Sequence, residues 1–556
     1  MNARDDVVTL VDLLRFRAAR TPQRMAYTFL RDGVHEDAVF TYAGLDRAAR
    51  AIAAELIRTI PTAPAGVAGE RAVLIYPPGL EFIAAFFGCL YAGMIPIPAP
   101  PPDGARMKRT FPRLLGIMED SGSQIVMSTD AIYRNALSAL GDDQTVRWLC
   151  SDTVAIDADT EPHRGRASDV AYLQYTSGST STPKGVVLTH ANVLADLAMS
   201  ERAWDYSADS VSVTWMPYFH DYGLVDGLLQ PLYSGNPCYV LSPLNFIKRP
   251  QRWLEAISRY RGTHTQAPNF AYELCLHKVT TAQRDALDLS RWKIASNGAE
   301  PVRESTMQRF IDYFAPCGFH SLAYSPSYGL AEATLMVSTK TLGQAAIVRH
   351  LDAATLERDH KIADIIDSDD LAAARSVVGC GAPPREVTVA IVDPDTCRRC
   401  AVDEVGEIWV SSPAVAVGYW AREEESRAIF YARLVGEAAD EANSAAYLRT
   451  GDLGFMQDGE VYVTGRLKDL IIIAGVNHYP QDIEWTVQQS HSEFRPDHCA
   501  AFSVEEDGEE RLVVVAEVNR ELPDWQPLFD AVRRAVSETH EMELHALVVL
   551  RKGGIL

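Results

Sequence analysis

Residues 172–190 read YLQYTSGSTSTPKGVVLTH. Seven consecutive residues in this stretch, from Thr176 to Thr182, are Ser, Thr or Gly, and Lys184 follows shortly after them. Glycine lets a backbone turn tightly, and the hydroxyl and N–H groups of such a run can surround phosphate oxygens, to which Lys184 would add a positive charge. The order Pro-Lys-Gly differs from the Gly-Lys-Ser/Thr of a Walker A loop. Taken alone, the run is more typical of a solvated Ser/Thr loop.

The composition is that of a large acidic globular protein. A chain of 556 residues suggests roughly three or four structural units. Its formal net charge of −22 argues against a general nucleic-acid binder, which needs a basic surface. The nine cysteines have no framework spacing, which favours the reducing cytoplasm. Cys397 and Cys400 form one CxxC without a second pair, so we interpret it as a polar turn between two strands.

Helix and strand patterns alternate along most of the chain. Residues 40–57 have helical spacing with Thr41 as a candidate N-cap, and residues 71–78 and 123–129 are short β-rich runs. The most apolar segment, residues 82–98, is interrupted by glycine and proline, so it predicts a buried helix running into a strand rather than a membrane span. This alternation predicts an α/β fold of βαβ subdomains with mostly parallel sheets.

Two interruptions suggest how the chain is divided. A polar stretch at residues 350–375 breaks the alternation, and a second break falls near residues 465–475. The segment after the second break has its own strand and helix pattern. We therefore predict a large N-terminal domain over residues 1–465, with an insertion at about 339–378, and a small mobile C-terminal α+β domain over residues 466–556.

Five further blocks follow the opening stretch in order: WMPYFHDYGLVDGLLQPLYSG (215–235), QAPNFAYELC (266–275), ASNGAEPVRESTMQRF (295–310), SYGLAEATLMVS (327–338) and YLRTGDLGFMQDGEVYVTGRLKDLIIIAGVNHYPQDIE (447–484). Together the blocks resemble the adenylate-forming superfamily of acyl-CoA synthetases, luciferases and peptide-synthetase adenylation domains. Ser181 stands where the broad pattern has glycine, a departure shared by the fatty acyl-AMP ligase branch. The resemblance covers nearly the whole chain, and it implies that the opening run binds the phosphates of ATP.

The resemblance implies a set of nucleotide-binding residues. The phosphate-binding residues would be Thr176, Ser177, Gly178, Ser179, Thr180 and Lys184. The adenine and ribose would be bound by Asn297, Gly298, Ala299, Glu300, Tyr328, Gly329, Asp452 and Arg466. Glu332 and Thr176 would hold Mg²⁺, because a hard carboxylate suits an ion that keeps waters and bridges phosphates.

The resemblance also implies residues for the acyl substrate and for catalysis. His220 would face the acyl carboxylate and the α-phosphate, with Lys184 and Arg466 as the other catalytic residues, and Lys468 would be the hinge of the small domain. The acyl pocket would be lined by Trp215, Met216, Leu224, Leu228, Leu229 and Phe270. Judged singly, His220 is more typical of a packed histidine and the apolar residues of a core.

The implied reaction joins a carboxylate to the α-phosphorus of ATP, giving an acyl-adenylate and pyrophosphate. Positioning two anions and neutralising charge would supply most of the catalysis. The resemblance implies a medium- or long-chain fatty acid as substrate. Fatty acyl-AMP ligases carry an insertion like the polar interruption after Ser338, which in them restricts the domain rotation that would admit coenzyme A, so the resemblance favours a ligase over an acyl-CoA synthetase. An acyl carrier protein of a polyketide, nonribosomal peptide or lipid pathway would be the acceptor. The implied cofactors are ATP and Mg²⁺, with no nucleic acid and no membrane span.

Three alternatives stay open at this stage. They are a fatty acyl-CoA synthetase, a nucleotide- and acyl-binding protein without turnover, and an amino-acid adenylation domain. In the last of these Asp221 would have to hold the substrate ammonium. In relatives a Pro-Lys-Thr-Ser-Gly-Lys type motif follows the point reached at HALVVLRKGGIL, and no residue here, Lys552 included, is assigned to its second lysine. Without that donor we expect adenylation to be slower by about 10² to 10³.

Overall fold

The computed structural model describes residues 6–60, 69–102, 107–140, 146–156, 159–176, 183–365, 374–436, 445–473, 476–506, 509–540 and 542–555. Within these ranges the helices are α1 (Leu10–Arg20), α2 (Tyr42–Thr59), α3 (Glu81–Tyr91), α4 (Met107–Ser121), α5 (Asp130–Leu140), α6 (His190–Ala203), α7 (Gln230–Ser234), α8 (Pro243–Lys248), α9 (Gln251–Tyr260), α10 (Asn269–Lys278), α11 (Thr281–Asp285), α12 (Glu304–Phe314), α13 (Ala353–Asp359), α14 (Glu423–Phe430), α15 (Pro480–Ser490) and α16 (Gln526–His540). A π-helix, Tyr222–Leu229, precedes α7.

The strands, in chain order, are β1 (Met25–Leu30), β2 (Glu36–Thr41), β3 (Arg71–Leu74), β4 (Ile95–Pro98), β5 (Ile125–Ser128), β6 (Arg147–Cys150), β7 (Val170–Thr176), β8 (Lys184–Thr189), β9 (Ser212–Thr214), β10 (Cys238–Leu241), β11 (His264–Ala267), β12 (Ile294–Asn297), β13 (Tyr324–Gly329), β14 (Met336–Thr339), β15 (Val348–Asp352), β16 (Ala374–Val378), β17 (Thr388–Val392), β18 (Gly406–Ser411), β19 (Gly418–Tyr419), β20 (Leu448–Gln457), β21 (Glu460–Arg466), β22 (Ile471–Ile473), β23 (Val476–His478), β24 (Phe494–Glu506), β25 (Glu509–Val518) and β26 (Leu544–Arg551).

Two sheets with parallel strands form the centre of the fold. The larger has the order β14-β13-β12-β11-β9-β10-β1-β2, and its inner strands are parallel while β14 and β2 join antiparallel at the edges. The second, β4-β3-β5-β6, is parallel throughout. The predicted α/β class with mostly parallel sheets is confirmed.

The remaining described strands form mainly antiparallel sheets. They are β19-β8-β7, β17-β18-β20-β21, the hairpins β15-β16 and β22-β23, and β24-β25-β26, whose last pair is parallel. The elements from Ile471 onward have a hydrophobic core of their own, which includes Ile483, Leu512, Leu528 and Val532. That separate core is compatible with the predicted boundary at residues 465/466, which stays a prediction.

Several local predictions are confirmed. Thr41 caps α2 by accepting a hydrogen bond from the N–H of Gly44 at 3.1 Å. The apolar segment at residues 82–98 forms the buried helix α3 and the strand β4. The CxxC lies in a turn between β17 and β18, closed by a bridge between Val392 and Arg399.

None of the described helices combines the length and the apolar composition that crossing a bilayer requires. All nine cysteines are free thiols, and five of them are buried.

Candidate active site

The predicted phosphate-binding segment connects two paired strands. Strand β7 ends at Thr176 and β8 begins at Lys184, and these two residues face each other in the antiparallel register. Ser177, Gly178, Ser179 and Thr180 lie outside the described residues, so their predicted roles rest on the sequence. Thr176 is half-buried at the end of its strand.

Lys184 has two partners that the sequence did not single out. Its ammonium forms an ion pair with Glu425, in the first turn of α14. It also lies 5.3 Å from the centre of the Tyr419 ring. The predicted phosphate-binding charge is therefore held close to β19 and α14 in this structure.

The predicted adenine-binding residues lie at the carboxyl ends of two neighbouring parallel strands. Strands β12 and β13 pair with Asn297 opposite Pro326, so Gly298 and Tyr328 end up at the same edge of the sheet. A Cβ on Gly298 would lie 3.0 Å from the backbone oxygen of Ser327, which explains why glycine is needed there. In open α/β sheets this edge is where ligands bind.

The residues flanking Gly298 have different surroundings. The Asn297 side chain is fully buried and donates hydrogen bonds to Tyr324 at 2.7 Å and to Asn269 at 3.3 Å. Ala299 is exposed and has a φ of +67°, and Glu300 accepts a hydrogen bond from the N–H of Phe270. Ala299 and Glu300 are therefore open to a ligand, whereas the Asn297 amide nitrogen is engaged by core residues and its buried Oδ1 has no partner among the described residues.

Tyr328, Asp452 and Arg466 form a hydrogen-bonded group. The Tyr328 hydroxyl donates to Asp452 Oδ2 at 2.6 Å, and Arg466 Nε donates to Asp452 Oδ1 at 3.0 Å. Burial raises the pKa of Asp452, and Arg466 and the Tyr328 hydroxyl offset part of that rise. Because a carboxylate offers about four lone-pair positions, each oxygen can still accept a ribose hydroxyl. Three residues assigned to one nucleotide by sequence thus meet in space.

Glu332 lies in a single helical turn after β13, Ala331–Ala333. Its Oε1 accepts a hydrogen bond from the Tyr419 hydroxyl at 2.9 Å. Burial raises the pKa of Glu332, and the negative charges of Asp221 and Asp452 add to that rise. A cation beside Glu332 would neutralise its charge, and one hard carboxylate suits a Mg²⁺ that takes one or two carboxylates and completes its shell with phosphates and water.

Gly329 and Gly223 allow close backbone approaches around the site. A Cβ on Gly329 would lie 1.8 Å from the carbonyl oxygen of Leu335, and one on Gly223 would lie 2.1 Å from that of Pro217. No side chain can be accommodated at such distances. Gly329 therefore contributes to the site through its backbone.

His220 precedes the π-helix and is paired with a carboxylate. Its Nδ1 lies 2.5 Å from Asp221 Oδ1, which leaves Nε2 for another partner, and its side chain is 45% exposed. Burial lowers the pKa of His220, but the charge of Asp221 and the hydrogen bond to it outweigh that effect and raise the pKa. The preceding loop is fixed by Gln174, which donates to the Phe219 carbonyl at 2.8 Å.

Replacing Asp221 by asparagine should shift the pH dependence of the reaction. A His220 with a raised pKa stays cationic to higher pH, so activity that needs this cation is lost as pH rises through that pKa. Without the Asp221 charge the pKa of His220 falls, and the alkaline limb of the kcat/KM profile should move to lower pH. Pyrophosphate release measured across the neutral range checks this, and an unmoved limb would show that His220 does not carry the charge.

The predicted acyl-pocket residues lie in the main hydrophobic core. Trp215, Met216, Leu224, Leu228 and Leu229 are buried, and Phe270 is partly buried beside them. Trp215 stacks on Phe246 with ring centres 3.9 Å apart, and its indole N–H has no hydrogen-bond partner among the described residues. The structure places these side chains together, but it does not distinguish pocket lining from core packing.

Lys468 is exposed in the turn Leu467–Asp469, directly between β21 and β22. That position suits the predicted hinge.

The sequence did not indicate Tyr419 or Glu425 as site residues, and it indicated Asp221 only as a possible ligand of a substrate ammonium. Glu425 is one of three consecutive glutamates, and nothing in the sequence distinguishes it from the other two.

Two protein families and several known proteins are similar to this chain. Residues 14–420 match the family described as AMP-binding enzyme, and residues 468–555 match the AMP domain described as Disco-interacting protein 2-like. A medium-chain-fatty-acid–[acyl-carrier-protein] ligase, JamA of Moorena producens, is 49% identical over 98% of this chain and 92% of its own length. A ligase with the same description, TtuA of Teredinibacter turnerae, is 33% identical over 98% of this chain and 90% of its own length.

A solved structure covers the whole chain. The fatty acyl-adenylate ligase of Legionella pneumophila, in complex with acyl adenylate and pyrophosphate, is 36% identical, with a TM-score of 0.79 over 100% of this chain and 94% of that one. This match extends to the elements after Ile471 as well as to the large sheets.

Proposed function

Since this chain belongs to the AMP-binding enzyme family, in its fatty acyl-AMP ligase branch, we propose that it activates a medium- or long-chain fatty acid as its acyl-adenylate. The acyl group then passes to the phosphopantetheine arm of an acyl carrier protein. The observation that carries this proposal is the 49% identity, over nearly the full length, to a medium-chain-fatty-acid–[acyl-carrier-protein] ligase. The hydrogen-bonded group of Tyr328, Asp452 and Arg466 supports the nucleotide half of the reaction.

In the first step, a carboxylate oxygen of the fatty acid bonds to the α-phosphorus of ATP, and the bond from that phosphorus to the oxygen bridging to the β-phosphate breaks. Pyrophosphate leaves with the electron pair. Asp452 would accept hydrogen bonds from the ribose hydroxyls, while His220 and Lys184 would place positive charge beside the reacting phosphates. Bound at Glu332, Mg²⁺ would neutralise phosphate charge. Excluding water keeps the adenylate from hydrolysis.

The predicted insertion supports a carrier protein rather than coenzyme A as acceptor. Its described part, the hairpin β15-β16 with α13, contacts the elements after Arg466. Glu357 lies 3.4 Å from His478, and Arg375 lies 2.9 Å from Asp482. The Arg375 guanidinium also lies 4.0 Å from the centre of the Tyr479 ring. Contacts of this kind would resist the rotation of a small domain about Lys468.

Replacing Arg375 by alanine should therefore increase the formation of acyl-CoA. The variant loses the ion pair with Asp482, the cation–π contact with Tyr479 and a hydrogen bond to the Thr464 carbonyl. The first two contacts bias a docked arrangement by about 1 kcal/mol, or about fivefold. The measurement is acyl-CoA formed from ATP, fatty acid and coenzyme A. Arg349→Ala is the matched control, because Arg349 pairs with Asp364 inside the insertion. If Arg375→Ala folds and makes adenylate but no more acyl-CoA than the control, the insertion does not restrict the acceptor.

Two alternatives are tested by one experiment. Thin-layer chromatography with α-radiolabelled ATP and a fatty acid would follow the adenylate that the protein forms with and without coenzyme A. An adenylate that persists after coenzyme A is added supports the ligase. An adenylate consumed into acyl-CoA would instead identify a synthetase, and nucleotide binding without any adenylate would identify a non-catalytic binder.

We also propose the cytoplasm as the compartment, because nine free thiols fit a reducing environment.

We further propose a domain boundary at residues 465/466. The exposed turn at Lys468, just after the boundary, joins two hydrophobic cores that share few side chains.

A further inference from the structure

Lys184 is held by a carboxylate of its own chain. The ion pair with Glu425 is partly buried, with 21% of the Lys184 side chain and 36% of the Glu425 side chain exposed. A carboxylate and a phosphate attract a lysine ammonium in the same way, as compact anions that accept its three N–H donors. Glu425 therefore stands where a negatively charged ligand of Lys184 is expected.

Tyr419 connects Lys184 to Glu332. The Lys184 ammonium lies 5.3 Å from the centre of the Tyr419 ring, and the hydroxyl at the other end of that ring donates to Glu332 Oε1 at 2.9 Å. A ring face attracts a cation and a phenol hydroxyl donates to a carboxylate, so one side chain contacts both charges. Tyr419, which lies outside the sequence blocks quoted above, therefore contacts both charged groups that the proposed reaction needs, Lys184 and Glu332.

The segment that carries Tyr419 and Glu425 is firmly attached to the strand that begins at Lys184. Tyr419 pairs with Val186 across β19 and β8, and the Trp420 N–H donates to the Gly185 carbonyl at 2.8 Å. The Ser426 hydroxyl accepts from the Tyr419 N–H at 2.8 Å, which ties α14 to β19. These bonds hold both side chains in place whether or not Lys184 changes partner.

We propose that Tyr419 and Glu425 form a holding site for Lys184, which the triphosphate of an incoming nucleotide empties by taking the place of Glu425. This inference rests on the proposed function. Lys184 then exchanges one carboxylate for a phosphate and keeps the Tyr419 ring as its second contact. Tyr419 is a positioning residue that keeps Glu332 and Lys184 at fixed separation, and Glu425 competes with the nucleotide.

The test replaces Glu425 by glutamine and measures the dissociation constant of ATP with Mg²⁺ by calorimetry. Removing the competing charge should tighten binding by about three- to fivefold, the range of a partly exposed ion pair. In turnover, the KM for ATP should fall while kcat stays the same. Glu425→Asp should bind like the wild type, because it keeps the charge.

The matched control is Glu424→Gln, an exposed glutamate one residue away in the same helix. If Glu425→Gln and Glu424→Gln bind ATP equally, the holding site is refuted. Tyr419→Phe keeps the ring but removes the hydrogen bond to Glu332, so it should raise the Mg²⁺ concentration needed for half-maximal nucleotide binding, and Glu425→Gln should not. An unchanged Mg²⁺ requirement in Tyr419→Phe would refute its positioning role.

The two proposals fail in different ways. A wild type that binds ATP in calorimetry but forms no adenylate when a fatty acid is added contradicts the proposed function, while the comparison of Glu425→Gln with Glu424→Gln still tests the holding site. A wild type that forms adenylate, together with a Glu425→Gln variant whose affinity for ATP is unchanged, contradicts the holding site alone.

Discussion

Replacing His220 by alanine is expected to lower kcat/KM for acyl-adenylate formation by about 10² to 10³. The reaction brings the carboxylate of the acid against the α-phosphate, and the negative charge on both must be neutralised as the bond forms. Asp221 raises the pKa of His220, which favours the positively charged imidazolium, and Nε2 is left for another partner. A fixed cation at this point acts most strongly in the transition state, so its removal should lower kcat more than it changes KM.

Pyrophosphate release under saturating and limiting fatty acid measures this effect. The structure offers a matched control in His277, a half-exposed histidine that lies 3.0 Å from Glu273 and belongs to no predicted site. His277→Ala should keep nearly full activity. A His220→Ala variant within about threefold of the wild type would fall outside the expected range and would remove His220 from the catalytic residues.

Replacing Asp452 by alanine should weaken the binding of ATP by about 10- to 100-fold, because hydrogen bonds to a charged group contribute about 1.5–3 kcal/mol. The alanine variant would lack the carboxylate that accepts hydrogen bonds from the ribose hydroxyls. The substitution would also remove the acceptor of the Tyr328 hydroxyl, which is buried because Tyr328 is 9% exposed. The free energy of unfolding should therefore fall by about 1–3 kcal/mol, which separates this variant from one that affects ligand binding alone.

Tyr328→Phe separates the two effects of the Asp452 substitution. It removes the same internal hydrogen bond, 2.6 Å long, but leaves the carboxylate in place for the ribose. Calorimetric titration with ATP should show a small loss for Tyr328→Phe and a large loss for Asp452→Ala. Equal affinities in Asp452→Ala and the wild type would contradict the ribose assignment.

The fold could be predicted to a large extent because its signals are local. The cap at Thr41 and the apolar run at residues 82–98 each depend on neighbours within a few positions, and both appear as predicted. The antiparallel sheets were not predicted in detail, because pairs such as β8 and β19 join segments that are distant in the chain. Hydrophobic pattern alone does not specify such pairings.

The sequence indicates which residues belong to the predicted site, but it does not indicate which residues they contact. The motifs indicated Tyr328, Asp452 and Arg466, yet the bond between the first two spans 124 positions of the sequence. The pair of Lys184 and Glu425 spans 241 positions of the sequence.

Asn297 differs from the other predicted site residues in the direction of its side chain. Successive side chains of a strand point to opposite faces, and as the last residue of β12 it turns into the core, while the ligand edge begins at Gly298.

The most direct measurement of the central claim is a competition between acceptors in one reaction. The protein would receive ATP, Mg²⁺, octanoic acid, coenzyme A and a carrier protein bearing phosphopantetheine, and mass spectrometry would follow all acyl products. The account predicts acyl-AMP followed by acylated carrier protein, with acyl-CoA a minor product even when coenzyme A is in excess. Acyl-CoA as the main product, with the carrier protein unmodified, would contradict it.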